Sequence, residues 1–407
     1  MKSAIRKLVA AAFVLALAFP AAAAELKKVP SDCPCAQSIN RLVDTYQKDA
    51  GFRELMDAAF ANMQQTPAHY SARNPWMGKS MPDLVKFLKD WCTFLPEIDG
   101  THDTGLKYIQ DFALFYYKNP FGVTFVQLSP GREIMQDFVR QRGDYMDSPE
   151  STKIIAEWLK DPRIERGDYV IPDPKAKDGG FKSYNEFFSR SLADQAQSRP
   201  QTMPDRDYII AAPTDCVMNS IPQKIRDEST QITTKGNEAL NIVDLLGGSK
   251  YAKKFLGGTA LSCVLMPNTY HHYHSPVAGT VVEAKILEGP FFGHPDFPNW
   301  VPPDGNVGYY GATFSPFENF QRGYFIVDTG KYGHVAMVAV GLNTISSVVF
   351  KPPFNKLTKP AKVKRGDELG YFLYGGSLFM MIFEPDRYSS DAIQVRLGNQ
   401  IGTFDTK

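Results

Sequence analysis

From about residue 36 to 165 the apolar positions recur at helical spacing. Ile39, Leu42, Val43 and Tyr46 fall at i, i+3, i+4 and i+7, and Phe52, Leu55, Met56, Ala59 and Phe60 repeat the stripe. Positions so spaced line one side of a 3.6-residue helix, which predicts amphipathic helices sharing a core. Leu84, Phe87, Leu88, Trp91 and Leu95 form another such face after the breaker Pro82. Ser129-Pro130 reads as a helix start, with Ile134 and Phe138 on one side beyond it.

After Pro172-Asp173-Pro174-Lys175 the pattern changes. Short β-branched and aromatic runs alternate with Gly and Pro turns: Tyr208–Ala212, Gly279–Ile286, Tyr324–Val327, Val335–Val340, Ser346–Phe350 and Leu378–Phe383. These predict strands, with helices at Phe181–Leu192 and Leu240–Leu246. Gly289–Gly323 is a long connection rich in Gly, Pro and aromatic residues, expected to serve as a lid or pocket wall. The expected fold class is α+β, a helical N-terminal domain followed by a predominantly β domain with a few helices. No internal repeat or low-complexity tract interrupts it.

With 407 residues, 43% hydrophobic and 22% charged, the chain has length for two domains. A net charge of +1 gives no electrostatic footprint for nucleic acid and no strong pull toward anionic lipid. Lys2, Arg6 and Lys7 precede an apolar run from Leu8 to Phe19, then Ala21–Ala24. This predicts a signal peptide over residues 1–24 and export, with the periplasm as destination; a retained anchor is the alternative. No later segment approaches the ~20 apolar residues of a membrane-spanning helix, so the mature protein is expected to be soluble or peripheral. Residues 25–178 are expected to form the helical domain and 179–407 the β domain. In an exported chain the five cysteines permit disulfides. One of Cys33 and Cys35 is expected to bridge to Cys92, while Cys216 and Cys263, in apolar surroundings, should be buried thiols.

Candidate chemistry begins at Gly375-Gly376-Ser377, between two apolar runs within Tyr371–Phe383. Paired glycines open backbone conformations that other residues avoid, where a plain strand would be weakened. A serine on such a turn can act as a nucleophile, and its nearest electrophile is its own preceding carbonyl. A simple strand turn has the same pattern. Three of the seven histidines fall in Tyr270-His271-His272-Tyr273-His274-Ser275-Pro276. If the segment is extended, His272 and His274 point one way and His271 the other; a helix would align His271 with His274. Two chemistries compete with ordinary loop hydrogen bonding. The histidines and Asp215 could hold zinc. Alternatively, one histidine could be the base for Ser377, with Asp215 orienting it. Asp215 lies in the turn Ala211-Ala212-Pro213-Thr214-Asp215-Cys216, between strand-like runs.

Five blocks, in order, resemble the pyruvoyl-dependent phosphatidylserine decarboxylase family. They are Phe187-Phe188-Ser189-Arg190-Ser191-Leu192; Ala212-Pro213-Thr214-Asp215; Thr234-Lys235-Gly236 leading to Leu245-Leu246-Gly247; Tyr270 to Gly279; and Lys364–Gly370 with Gly375-Gly376-Ser377. The resemblance covers roughly residues 180–407, and the helical half is similar to the associated domain that precedes some members. It implies that Asp215 orients His274 and that His274 deprotonates Ser377, whose oxygen attacks the Gly376 carbonyl. The chain would then cut itself between Gly376 and Ser377, leaving Ser377 as an N-terminal pyruvoyl group on a fragment that stays associated. That self-made cofactor forms a Schiff base with the substrate amine and takes up charge as CO2 leaves. His271 is the candidate for assisting decarboxylation or reprotonation, and His272 is expected to be structural. No metal is implied.

The implied substrate is phosphatidylserine, giving phosphatidylethanolamine through peripheral membrane contact; homo-oligomerisation is left open. Some members with a helical N-terminal domain and a Gly-Gly-Ser site look like decarboxylases of free amino acids such as tryptophan, the alternative substrate class. The chain departs from the family pattern at Thr214 and Cys216 beside the aspartate, at Leu378 after the serine, and at Phe320-Gln321-Arg322. A remote alternative is that Ser275–Val281 with Val363–Gly370 resembles the Gly-turn pattern of lipoyl-like β folds and periplasmic zinc endopeptidases.

Overall fold

The structure, a computed structural model, describes residues 26–66, 73–97, 107–224, 241–293, 318–342, 348–389 and 394–403. Residues 1–25, where the signal peptide is predicted, lie outside them, as does Thr234-Lys235-Gly236. No helix among the described residues is long and apolar enough to cross a membrane.

The predicted stripes become α1 (Ala36–Lys48), α2 (Ala50–Ala61), α3 (Met81–Cys92), α4 (Lys107–Tyr116), α5 (Pro120–Gln127) and α6 (Gly131–Met146). Ile39, Leu42, Val43, Phe52, Met56 and Ala59 are buried in one core with Trp91, Phe112, Phe115 and Phe138. Caps set where the helices begin: the Asp49 side chain accepts from the Phe52 amide, and Asn119 accepts from the Gly122 amide just ahead of Pro120. Gly131 opens α6 because a Cβ there would lie 2.0 Å from the Phe125 carbonyl oxygen. Cys35 bridges to Cys92, tying the start of α1 to the end of α3, and Cys33 is free.

Beyond α6, α7 (Ile155–Trp158), α8 (Tyr184–Phe188), α9 (Gln195–Ser198) and α10 (Ile242–Leu245) are short. The helix expected over Phe181–Leu192 is therefore one turn. Ser183 caps its front by accepting from the Glu186 amide, and the chain leaves the helix at Ser189. Likewise Leu240–Leu246 contracts to α10 because Asn241 caps the Val243 and Asp244 amides.

The strands are β1 (Ile209–Ala211), β2 (Cys216–Lys224), β3 (Thr259–Leu265), β4 (His272–His274), β5 (Gly279–Leu287), β6 (Arg322–Asp328), β7 (His334–Leu342), β8 (Val348–Phe350), β9 (Ala361–Val363), β10 (Glu368–Phe372), β11 (Gly376–Phe383), β12 (Gln394–Val395) and β13 (Gln400–Thr403). Eight form one sheet in the order β12-β2-β3-β11-β7-β6-β5-β9, a second has the order β4-β10-β8, and β1 pairs with β13. β11 runs through the middle of the large sheet, antiparallel to both β3 and β7. Its Phe379, Met381 and Phe383 enter the core on one face, and Leu378, Met380 and Ile382 enter the core on the other. Burial on both sides explains why this strand reads as an unbroken apolar run. The smaller sheet covers the Phe379 face, with the Tyr273 ring 5.3 Å from Phe379 and 5.1 Å from Phe372.

A separate cluster of Trp158, Tyr184, Phe187, Phe188, Tyr270 and Tyr374 joins the helices to the sheets. The connection expected to act as a lid starts by plugging the helical core. Phe292 packs against Phe112 at 5.1 Å and Trp91 at 6.1 Å, while Gln136 and Gln127 donate to the Gly289 and Gly293 carbonyls. Residues 294–317 of that connection lie outside the described residues.

Candidate active site

Ser377 is the second residue of β11, opposite Leu265 of β3 and Gly341 of β7. Period-two alternation puts its side chain on the Phe379 side, under the sheet that carries the histidines. It is 5% exposed, and its hydroxyl has only a long 3.5 Å contact to the Gly375 carbonyl among the described residues. Gly375 has φ +156°, a conformation open to glycine and costly for other residues. The Gly-Gly pair thus brings the chain into the middle of a fully paired sheet.

The histidine segment is extended, as one of the two sequence readings required. Tyr270, His272 and His274 line one side: Tyr270 stacks on His272 at 4.9 Å and lies 5.7 Å from His274. His271 and Tyr273 take the other side, and Tyr273 packs on Phe379. His271 is therefore the histidine on the side that faces Ser377.

The partners of each imidazole fix what it can do. His272 Nδ1 meets the Glu368 carboxylate and its Nε2 donates to the Ser189 carbonyl at 2.7 Å. Both nitrogens face acceptors, so His272 is committed to its neighbours, in keeping with a structural role. Burial alone would raise Glu368, but the hydrogen bond and charge of His272, with Lys351, bring it down to about 2. His274 Nδ1 donates to the Gly366 carbonyl at 2.8 Å, so Nε2 is its basic atom, and the Tyr270 hydroxyl donates to it at 2.9 Å. Burial pushes His274 down to about 4. His271 Nε2 donates to the Met266 carbonyl at 3.1 Å and its ring stacks on Phe188 at 3.8 Å. Its Nδ1 is buried with no partner. Burial first, then the Arg190 charge, hold His271 well below the ordinary histidine value. It is a neutral imidazole with a bare lone pair.

Asp215 is engaged elsewhere. Arg199 grips it from Nε and from the terminal nitrogen at 2.8–3.1 Å, and the Leu397 amide donates to it at 2.9 Å. Its segment still touches the histidines through the backbone: His274 N–H donates to the Pro213 carbonyl, and the Thr214 hydroxyl donates to the Tyr270 carbonyl. No hydrogen bond among the described residues joins Asp215 to His274 or His274 to Ser377. Nor do the three histidines and Asp215 converge as a ligand set, and no metal-holding group of three His, Cys, Asp or Glu is found among the described residues.

Tyr270, Arg190 and Arg199 were given no role from the sequence. Tyr270 and Arg190 both lie inside blocks that stood out, and their signal was a polar tip in an otherwise buried stretch. Arg199 carried none, because only the fold shows that it meets Asp168 at 2.5 Å as well as Asp215.

Residues 184–403 match the family model for phosphatidylserine decarboxylase. Phosphatidylserine decarboxylase proenzyme 3 of Schizosaccharomyces pombe is 31% identical over 266 residues, 65% of this chain and 25% of that protein. The phosphatidylserine decarboxylase proenzyme of Fusobacterium nucleatum is 28% identical over 277 residues, 68% of this chain and 82% of that one. Decarboxylase iboD of Amanita muscaria is 28% identical over 295 residues, 66% and 81% of the two chains. This chain therefore spans a quarter of the length of the fission-yeast relative and most of the length of the other two.

Proposed function

Because the chain belongs to the phosphatidylserine decarboxylase family, we propose that it is a pyruvoyl-dependent carboxy-lyase that makes its own cofactor by cutting itself between Gly376 and Ser377. Its substrate is phosphatidylserine, converted to phosphatidylethanolamine and CO2. The observation that carries the reading is the serine itself. Ser377 is buried, follows a Gly-Gly pair, and lies on the face of β11 covered by the histidine sheet.

In the self-cleavage step, Ser377 Oγ gives up its proton and bonds the Gly376 carbonyl carbon, and the peptide C–N bond breaks to leave an ester. Loss of the Ser377 Cα proton then breaks the Cβ–O bond, freeing the Gly376 carboxylate. Water replaces the remaining nitrogen, which leaves as ammonia. Family resemblance assigns His274 Nε2 the first proton, which requires Tyr270 to give up its hydrogen bond there and the ring, on the strand side away from Ser377, to move to reach Oγ. Asp215 supports His274 through the backbone contacts of its turn, held in place by Arg199. Residue 377 is shielded from bulk water, and His271 on the neighbouring sheet keeps a buried nitrogen without a partner, both of which suit the group so formed. The pyruvoyl group supplies the carbonyl that bonds the substrate amine and takes up electrons as CO2 leaves. His271 Nδ1 holds or delivers the proton at that centre. The Cys35–Cys92 disulfide supports an oxidising, exported location, and a soluble or peripheral chain would meet lipid at the membrane surface.

The test is to follow chain cleavage and CO2 release separately. Ser377→Ala should leave one uncut chain without activity. His274→Ala should block cleavage, whereas His271→Ala should cut normally and lose decarboxylation by about 100-fold or more. Purified, cut protein is then offered phosphatidylserine vesicles and a panel of free amino acids that includes tryptophan. CO2 from the amino acids alone would replace the lipid substrate, and an uncut wild-type chain would sink the whole reading.

A further inference from the structure

The segment after α8 holds a buried cation that the chemistry above does not use. Arg190 is 2% exposed, and no carboxylate pairs with it among the described residues. Its guanidinium lies over the Tyr169 ring at 4.3 Å and the Phe187 ring at 4.9 Å. One terminal nitrogen donates to the Phe187 carbonyl at 3.3 Å. The other reaches the Asn268 carbonyl at 2.9 Å and the Thr269 carbonyl at 3.4 Å, while Nε is buried without a partner. Desolvating a charge without a counter-ion is expensive, so a residue that does so calls for a reason beyond packing.

The contacts supply that reason. Asn268 and Thr269 belong to the turn that delivers Tyr270 and His271 from the end of β3. The Met266 carbonyl at the head of this turn accepts from the Thr269 amide, the Thr269 hydroxyl and His271 Nε2. Adjacent α8 residues then divide the work: Phe187 carries the guanidinium and Phe188 carries the His271 ring. We infer that Arg190 is a positioning residue for His271, bracing the turn that carries its ring. Only the activity arm of its test rests on the decarboxylase reading.

The groups around His271 limit what else could set its charge. Arg190 and His272 are the charged or titratable side chains acting on it, and the Met266 and Pro267 carbonyls act in the opposite direction. On its ring face Phe188 intervenes before Tyr374, behind which lies Arg142. A positive neighbour disfavours protonation, so removing the Arg190 charge should let His271 take up a proton at higher pH. Burial would remain.

The experiment compares Arg190→Lys, which keeps the charge but loses the planar fork, with Arg190→Gln, which keeps donors but loses the charge. In the full-length Ser377→Ala precursor, the His271 titration is followed by NMR of labelled imidazole. Glutamine should shift it upward and lysine should leave it in place. In chains that retain Ser377, both variants should still cut. Lysine should lower kcat between about 10- and 100-fold with KM little changed, because the imidazole loses its brace. Glutamine should also move the acid limb of the pH–rate profile upward. An unmoved titration in the glutamine variant, or an unchanged kcat in the lysine variant, overturns the inference. If one variant does not fold, the other still decides on its own readout. If no substrate releases CO2, the decarboxylase reading fails while the titration still judges Arg190.

Discussion

His274 illustrates how burial at one side chain becomes a property of the whole protein. Its Nδ1–H is committed to the Gly366 carbonyl and its Nε2 to the Tyr270 hydroxyl, and burial brings its pKa down from 6.5 to about 4. A folded-state pKa below the unfolded one means that the unfolded chain binds the proton more readily. The resulting stabilisation is fully present above pH 6.5 and is lost as the pH falls toward about 4. Its ceiling for this one group is on the order of 3 kcal/mol, and His271, displaced in the same direction, adds to the slope. Denaturant midpoints should therefore fall through this window, and His274→Gln should flatten part of the decline. A wild-type midpoint constant from pH 7 to 4 would contradict the buried, neutral assignment. The same tautomer bears on the proposed chemistry: if His274 is the self-cleavage base it stays unprotonated well below neutral pH, so cleavage should persist in mildly acidic buffer.

At the scale of the element, β11 determines both where Ser377 sits and what would follow the proposed cut. From Ser377 to Phe383 it pairs residue by residue with Leu265–Thr259 on one side and Gly341–Val335 on the other. Breaking the Gly376–Ser377 bond leaves both ladders intact, and the same C-terminal segment also supplies β12 to β2 and β13 to β1. The two pieces should co-elute in native size exclusion and separate only in denaturant. Phe379→Ala, which empties the contact beneath Tyr273, should cost about 3–5 kcal/mol in a chemical denaturation series. Much of this element was legible in the sequence, since its apolar run and glycine pair mark a buried strand entered by a turn. The neighbouring α8 was not. Phe181–Leu192 reads as a longer helix because Phe181, Phe187, Phe188 and Leu192 look like one face. Ser183 and Ser189 instead confine the helix to one turn, and Arg190 turns inward to meet carbonyls that come from far along the chain. Local pattern cannot disclose a partner 78 residues away. For the same reason the Gly366 carbonyl that holds His274 Nδ1, 92 residues away, escaped it, although His274 itself stood out.

At the scale of the molecule, a few cross-links tie distant segments together, two of them across the point where self-cleavage would divide the chain. The Cys35–Cys92 bridge closes a loop of 57 residues in the helical half, worth roughly 4 kcal/mol by chain entropy. Replacing both cysteines should lower the melting temperature while leaving the sheet and the cleavage site unaffected. Arg199 does the corresponding work at the other end. It is buried between Asp168 and Asp215, and Asp215 also accepts the Leu397 amide from the segment beyond the cleavage point. Beside it Arg396 pairs with Glu165, a second link between the C-terminal segment and the earlier chain. The Glu165 bridge is exposed and contributes little, whereas breaking a buried pair strands a charge and costs about 3–5 kcal/mol. Arg199→Met should therefore destabilise the chain by that order, and Arg396→Ala by under about 1 kcal/mol. Because Asp215 sits at the meeting point of these segments, Arg199→Met should also slow cleavage, as the turn that presents Pro213 to His274 loosens. If Arg199→Met lowers stability but cuts at the wild-type rate, Asp215 is a structural anchor alone, and the deprotonation of Ser377 belongs to the histidines without it.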